Sequence, residues 1–136
     1  MPVLVIDPSV AAAWCFKDEA TAYTDGILGV VSGSGEAIAP RLLAYELRNS
    51  VLVGVRRGRI TSKTAREFLQ SLPDLRIRLT DPVSYDDVFD LAERCNLTVY
   101  DAAYLDLAIR EGLPLASLDA ALIRAAAPSG VTIFQP

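Results

Sequence analysis

Apolar and polar positions along the chain switch between a strand-like and a helix-like period. Val3-Leu4-Val5-Ile6 is a continuous apolar run ending at Asp7-Pro8-Ser9. It reads as a parallel strand buried on both faces, followed by a helix that Pro8 opens and that runs to about Phe16. The pattern next predicts a helix over Asp18–Val31, a turn over Ser32–Gly35 and a short strand over Ala37–Ala39. Pro40 opens a long helix to about Arg57, and Gly58 stops it. Thr61 or Ser62 caps the next helix, which runs through Leu72. Leu75–Leu79 alternates apolar and basic residues, as an edge strand does. Ser84 starts a helix ending at Asn96, with Asp86 and Asp87 in the first turn, where negative charge complements the dipole. A helix over Tyr100–Arg110 is stopped by Gly112 and Pro114. A strand over Leu115–Leu118, a helix over Asp119–Ala127 and a last strand over Val131–Phe134 complete the chain. Strands alternating with helices predict an α/β architecture, helices flanking a central, mostly parallel sheet. No repeat, low-complexity tract or linker interrupts the pattern, so residues 1–136 read as one domain.

Composition removes several chemistries. The 136 residues include no histidine, which excludes Ser-His-Asp and Cys-His catalysis and histidine-ligated zinc. Two distant cysteines, Cys15 and Cys95, cannot build a four-cysteine zinc site and read as free buried thiols. Neither G-x-x-x-x-G-K-[ST] nor G-x-G-x-x-G occurs, so no glycine-rich phosphate loop is present. No apolar stretch approaches the ~20 residues that span a bilayer, and no basic segment precedes the first apolar run as in a secretory signal. A cytoplasmic protein without membrane attachment is expected. Carboxylates and arginines remain in quantity, and acids without histidine point to hard metal ions.

The formal net charge of −4 hides an asymmetry. Between Arg41 and Arg78 lie nine basic residues and three acids, and the rest of the chain has four basic residues and 14 acids. Eleven of the 13 basic residues are arginine, the side chain suited to bidentate phosphate recognition. The strip reads either as a solvated helix surface or as a basic flank beside an acidic pocket, as an enzyme acting on a polyanion requires.

Four acids fall where this architecture gathers them. Asp7 ends the first strand, where ligand sites of open parallel sheets collect, and Asp119 follows the 115–118 strand in the same way. Asp101 lies in the first turn of its helix. Glu46 stands mid-helix, only about 60° around the axis from Leu43, so it borders the core-facing stripe and needs a partner or a cation. Taken singly, Asp7, Asp101 and Asp119 are equally readable as helix caps or first-turn acids, and Glu46 as a partner of Arg48 or Arg110. Asn49, three residues beyond Glu46, shares its face and could orient a carboxylate or a water. Tyr100 and Tyr104 flank Asp101 and read as base-stacking platforms or as packing residues; Trp14 reads as packing. Asp106, about 140° around the helix from Asp101, reads as solvated.

Four segments together resemble the PIN-domain ribonucleases, specifically the VapC-type toxins of toxin–antitoxin pairs. VLVIDPSVAAAW, with Asp7 and Ser9, is similar to the family's first motif, and APRLLAYELRNSV, with Pro40, Glu46 and Asn49, to its second. LTVYDAAYLDLAI, with Asp101, is similar to the third, and PLASLDAALIRAA, with Ser117 and Asp119, to the fourth. The likeness covers nearly the whole chain in order. It departs at Ser117, where the family more often has threonine, with the hydroxyl kept.

The resemblance implies a three-layer PIN-like fold and metal-dependent hydrolysis of RNA that leaves a 5′-phosphate. Asp7, Glu46, Asp101 and Asp119 would be the catalytic acids holding Mg²⁺ or Mn²⁺, with Ser9, Asn49 and Ser117 orienting them. It also implies a homodimer and a cognate antitoxin protein that covers the site. Arg56, Arg57 and Arg59, beyond the end of the Glu46 helix, are the expected RNA-backbone contacts. Receiver-type phosphoryl transfer fits poorly, since Asp7 stands alone and no lysine follows Lys63. The competing reading is a catalytically silent PIN-fold module that binds RNA or protein.

Overall fold

A computed structural model describes residues 1–136. Four strands, β1 (Val3–Ile6), β2 (Glu36–Pro40), β3 (Ile77–Thr80) and β4 (Leu115–Ala116), form one sheet in the order β3-β2-β1-β4. Every pairing is parallel, so the sheet is entirely rather than mostly parallel. Seven helices flank it: α1 (Pro8–Ala13), α2 (Ala22–Ser32), α3 (Leu42–Arg56), α4 (Ser62–Ser71), α5 (Tyr85–Cys95), α6 (Val99–Glu111) and α7 (Ala120–Ala126).

The apolar runs become the core because helices cover both faces of the two inner strands, while the edge strand β3 stays partly exposed. Leu4, Val5, Ile6, Ala37, Ile38 and Ala39 are buried within a cluster of 27 residues, which Leu105, Leu107 and Ala108 of α6 complete. Helix ends carry the expected chemistry. Thr61, Ser84 and Thr98 each accept the backbone N–H three residues on, and Gly58, Asn96 and Gly112 take the left-handed conformation just past α3, α5 and α6. Gly54 lies inside α3 against the usual propensity. A Cβ there would collide with the Phe16 ring, which packs into the gap.

Several boundaries depart from the sequence pattern. The first helix stops at Ala13 instead of Phe16, and a 3₁₀ turn over Lys17–Glu19 separates it from α2. Helix α2 starts at Ala22 because Thr21 and Thr24 form a reciprocal capping box. Pro40 is the last residue of β2 and not the first of a helix. The fourth strand is two residues long instead of four, because the chain turns at Ser117 and the Leu118 N–H leaves the ladder for the Ser9 hydroxyl. The expected last strand over Val131–Phe134 reduces to one parallel bridge, Leu115 to Ile133, since so short a β4 offers no further partner.

Side-chain expectations also change. Asp106 is not solvated: it is partly buried near Arg110, 3.7 Å away. Cys95 is half-buried and Cys15 buried, both free. Trp14 packs against the core and donates from Nε1 to the Thr24 carbonyl at 2.9 Å.

Candidate active site

The parallel register of β1 with β4 pairs Val5 with Leu115 and Ile6 with Ala116. One step further along both strands, Asp7 meets Ser117, whose Oγ donates to Asp7 Oδ2 at 2.5 Å. Asp7 Oδ1 accepts from Ser9 Oγ at 2.5 Å and from the Val10 N–H at 3.3 Å, so Asp7 also caps α1. Each serine passes on a backbone donor. The Leu118 N–H donates to Ser9 Oγ at 2.8 Å and the Asp119 N–H to Ser117 Oγ at 2.9 Å. Asp7 is thereby tied through two hydroxyls to the turn that carries Asp119. It is only 3% exposed, and burial raises its pKa, with the Asp119 charge adding to the rise. Ser117, Ser9 and Val10 pull the other way.

Glu46 is half-buried on α3, and its partner is neither Arg48 nor Arg110. Tyr104, fully buried on α6, donates its hydroxyl to Glu46 Oε1 at 2.7 Å. Tyr104 is therefore no base-stacking platform; Tyr100, by contrast, is exposed. Burial raises the Glu46 pKa, the charges of Asp101 and Asp7 add to that, and the tyrosine offsets part of it. The same environment pushes the Tyr104 phenol far above its ordinary range, chiefly through burial, so it stays a donor. Asp101 occupies the first turn of α6, where its backbone N–H is capped by Thr98 at 3.0 Å. Its pKa is raised by burial and then by the Asp119 charge. Asp119 precedes α7, half-buried, and makes no side-chain cap to it.

The four acids thus gather around the carboxyl edge of the sheet: Asp119 lies near enough to Asp7 and Asp101, and these two near enough to Glu46, for one charge to raise the next pKa. No basic side chain pairs with any of them. No three stand close enough to close on one ion directly. The donor set is all oxygen, anionic and self-repelling, which suits a hard divalent cation held partly through water. Asn49 lies exposed, without a side-chain hydrogen bond, in a cleft that Ser9 and Leu118 also line.

The basic trio divides. Arg56 and Arg57 are exposed at the end of α3 without an acidic partner, about 15 Å along the axis from Glu46. Arg59 pairs with Asp18 at 2.9 Å and Glu19 at 3.7 Å, and its guanidinium lies 4.2 Å from the centre of the Phe16 ring.

Two contributors escape a reading of the sequence. Tyr104 has no local signal as a Glu46 partner, because the two are 58 residues apart. Tyr23 places a buried hydroxyl near Asp7 and the Ser117 backbone; burial and then the Asp7 charge raise its pKa, and Ser117 offsets part of the rise.

Residues 4–128 match the family model described as PIN domain. Ribonuclease VapC3 of Pyrobaculum aerophilum is 33% identical over 120 residues, covering 85% of this chain and 88% of that protein. The crystal structure of PAE2754 from the same organism superposes with a TM-score of 0.72 at 21% identity, covering 91% of this chain and 84% of that one. VapBC2 from Rickettsia felis, crystallised bound to a DNA fragment from their promoter, shares the fold with a TM-score of 0.66 at 13% identity, covering 97% of each chain.

Proposed function

The chain belongs to the PIN-domain family, and from that membership we propose that it is a divalent-metal-dependent endoribonuclease, the toxin of a toxin–antitoxin pair. The observation that carries the reading is the meeting of Asp7, Glu46, Asp101 and Asp119 at one sheet edge with no arginine or lysine neutralising them. Such an edge is costly when empty, and a cation removes the cost. The four acids would hold Mg²⁺ or Mn²⁺ partly through water, and the ion would supply a Lewis acid that offsets phosphate charge and makes water more acidic. The remaining work belongs to the chain. Ser9 and Ser117 hold the Asp7 carboxylate in one orientation, and Tyr104 aims Glu46. Asn49, free of other partners, is available to a phosphate oxygen or a water of the incoming strand. Water attacks phosphorus as the bond to the 3′ oxygen breaks; with no histidine in the chain, the water's proton leaves to solvent and the 3′ oxygen takes one from solvent, giving a 5′-phosphate and a 3′-hydroxyl.

Partners follow from the same reading. A cognate antitoxin covers the acidic edge until the toxin is released. Tyr85, Val99 and Tyr100 leave large apolar side chains exposed around one cleft at the start of α6, and a second copy of the chain covers this surface in a homodimer. The protein acts in the cytoplasm, where its substrate is made. The test is incubation of purified protein with single-stranded RNA in Mg²⁺, in Mn²⁺ and in EDTA. Cleavage in either metal that vanishes in EDTA and in Asp119→Asn is expected. Binding without cleavage under all conditions would identify a silent module instead.

A further inference from the structure

Beyond the acidic edge, a groove of about 480 Å³ runs between the α5–α6 turn and α7. Its only charged lining residues are Arg94 and Arg124, and no acid lines it. Both arginines are exposed and neither has an acidic partner, whereas Arg41, Arg59, Arg78 and Arg110 are each paired. Asn96 and Ser129 add neutral polar groups to the wall, and Leu97 and Ala121 an apolar surface.

The groove is continuous in the chain with two of the site's acids. Asn96 and Leu97 lead directly to Thr98, which caps the turn holding Asp101. Ala121 lies two residues after Asp119, and Arg124 about 7.5 Å along α7 from it. Helices α6 and α7 pack against each other, and the segments at their starts line the groove and carry Asp101 and Asp119. Planar guanidinium groups match phosphate oxygens bidentately, and an arginine without a carboxylate partner is available to do so.

Resting on the ribonuclease reading above, we infer that this groove is a binding subsite for the substrate strand, with Arg94 and Arg124 holding backbone phosphates that flank the one over the carboxylates. The groove takes any single-stranded RNA, because phosphate contacts position a strand without reading its bases. Arg94 and Arg124 are positioning residues, and their loss weakens binding without slowing the chemistry.

The test uses full-length protein and a fluorescein-labelled RNA 12-mer. Polarisation in EDTA across a KCl series reads affinity and its salt slope, and cleavage in Mg²⁺ at saturating RNA reads the rate. Arg94→Gln/Arg124→Gln is expected to bind about 25-fold more weakly at 0.1 M salt and to flatten the slope by about 1.4, at ~0.7 per phosphate contact on single strands. Its saturated cleavage rate stays within about twofold of wild type, as expected when only uniform binding is removed. Arg94→Lys/Arg124→Lys keeps the charge and hence the slope. Arg66→Gln/Arg76→Gln removes two exposed arginines, also without acidic partners, one on α4 and one just before β3, and leaves affinity near wild type.

Unchanged affinity and slope in Arg94→Gln/Arg124→Gln, with RNA still cut, overturns the groove and leaves the ribonuclease reading standing. An equal loss in Arg66→Gln/Arg76→Gln also overturns it, since bulk charge would then explain the effect. A wild type that cuts no RNA in metal refutes the ribonuclease reading, and the polarisation series still decides the groove.

Discussion

Asp7 and Glu46 face the same edge and are held in opposite ways. Asp7 ends a strand, is almost wholly buried, and has three donors on its two oxygens. Glu46 projects from the middle of a helix, is half-buried, and has one donor, the phenol of Tyr104. Ser9 and Ser117 are themselves fixed by backbone N–H groups, so the first carboxylate is oriented by the sheet register itself. The second depends on a single bond between α3 and α6. An anion buried without a counter-ion needs several donors, while one at the rim can share its charge with water. The strand-edge region is thus preorganised, and the helical region is adjustable.

The comparison is tested most severely at Asp7. Asp7→Asn keeps the shape and removes one charge of the four. RNA cleavage is expected to fall by ~10³-fold or more, about 4 kcal/mol of transition-state stabilisation. Stability in EDTA should hold or rise, because the repulsion from Asp119 is relieved. Steady-state cleavage and a melting curve on the same preparation check both halves. A fully active Asp7→Asn protein would remove Asp7 from the site.

Ser117 tests whether preorganisation rests on the hydroxyl alone. Ser117→Ala strips a donor from Asp7 and orphans the Asp119 N–H, at a cost of about 1–3 kcal/mol for each buried group left unpaired. Ser117→Thr keeps the hydroxyl and should stay within about 1 kcal/mol of wild type, a normal outcome for a substitution that breaks no buried bond. Urea unfolding midpoints of the two variants separate these outcomes. Equal destabilisation would show that the position is sensitive to shape, not to hydrogen bonding.

At the helical region, Tyr104→Phe deletes the one donor to Glu46 and leaves the ring in the core. Cleavage should drop roughly tenfold, within the 10–100-fold typical of groups that orient metal ligands. Raising Mn²⁺ should recover much of the loss, because a mobile Glu46 can still be recruited. The Mn²⁺ midpoint for cleavage reads this directly, and an unshifted midpoint would show that Glu46 needs no aiming.

What could be read in the sequence follows the range of each signal. The first strand, the caps at Thr61 and Ser84 and the stop at Asn96 are local, and the structure has them close to where the pattern puts them. Position alone leaves the four acids readable as caps or ion-pair partners, and it is the resemblance of four ordered segments to one family that singles them out. The length of β4 was not legible, since it depends on where Leu118 finds a partner, and that partner is Ser9, 109 residues away. The Glu46–Tyr104 bond is hidden for the same reason. Helical spacing alone misplaced Asp106, because its burial depends on what packs over α6 and on Arg110 beside it.

The smallest effect is the pH dependence of stability, and its sign separates an edge of buried, unpaired acids from an ordinary salt-bridged one. Asp7, Glu46 and Asp101 have pKa values raised in the folded protein, each mainly by burial. In the unfolded chain they ionise near the ordinary value of about 4. Above that pH the unfolded state gives up these protons before the folded state does. Their contribution to stability is therefore greatest at low pH and is lost as pH rises through the folded values, the reverse of a salt-bridged carboxylate. In EDTA the melting temperature should be a few degrees higher near pH 5 than near pH 7.5, the scale on which ~1 kcal/mol moves a domain of this size. Millimolar Mg²⁺ or Mn²⁺ should close most of that gap at pH 7.5 by binding the native edge. Asp101→Asn should show a smaller pH effect and a smaller metal effect together, since both arise from the same charges. Scanning calorimetry at the two pH values, with and without metal, measures all four quantities. A melting temperature in EDTA that rises steadily from pH 5 to 7.5 would mean that the carboxylates are neutralised within the protein and that the edge needs no cation.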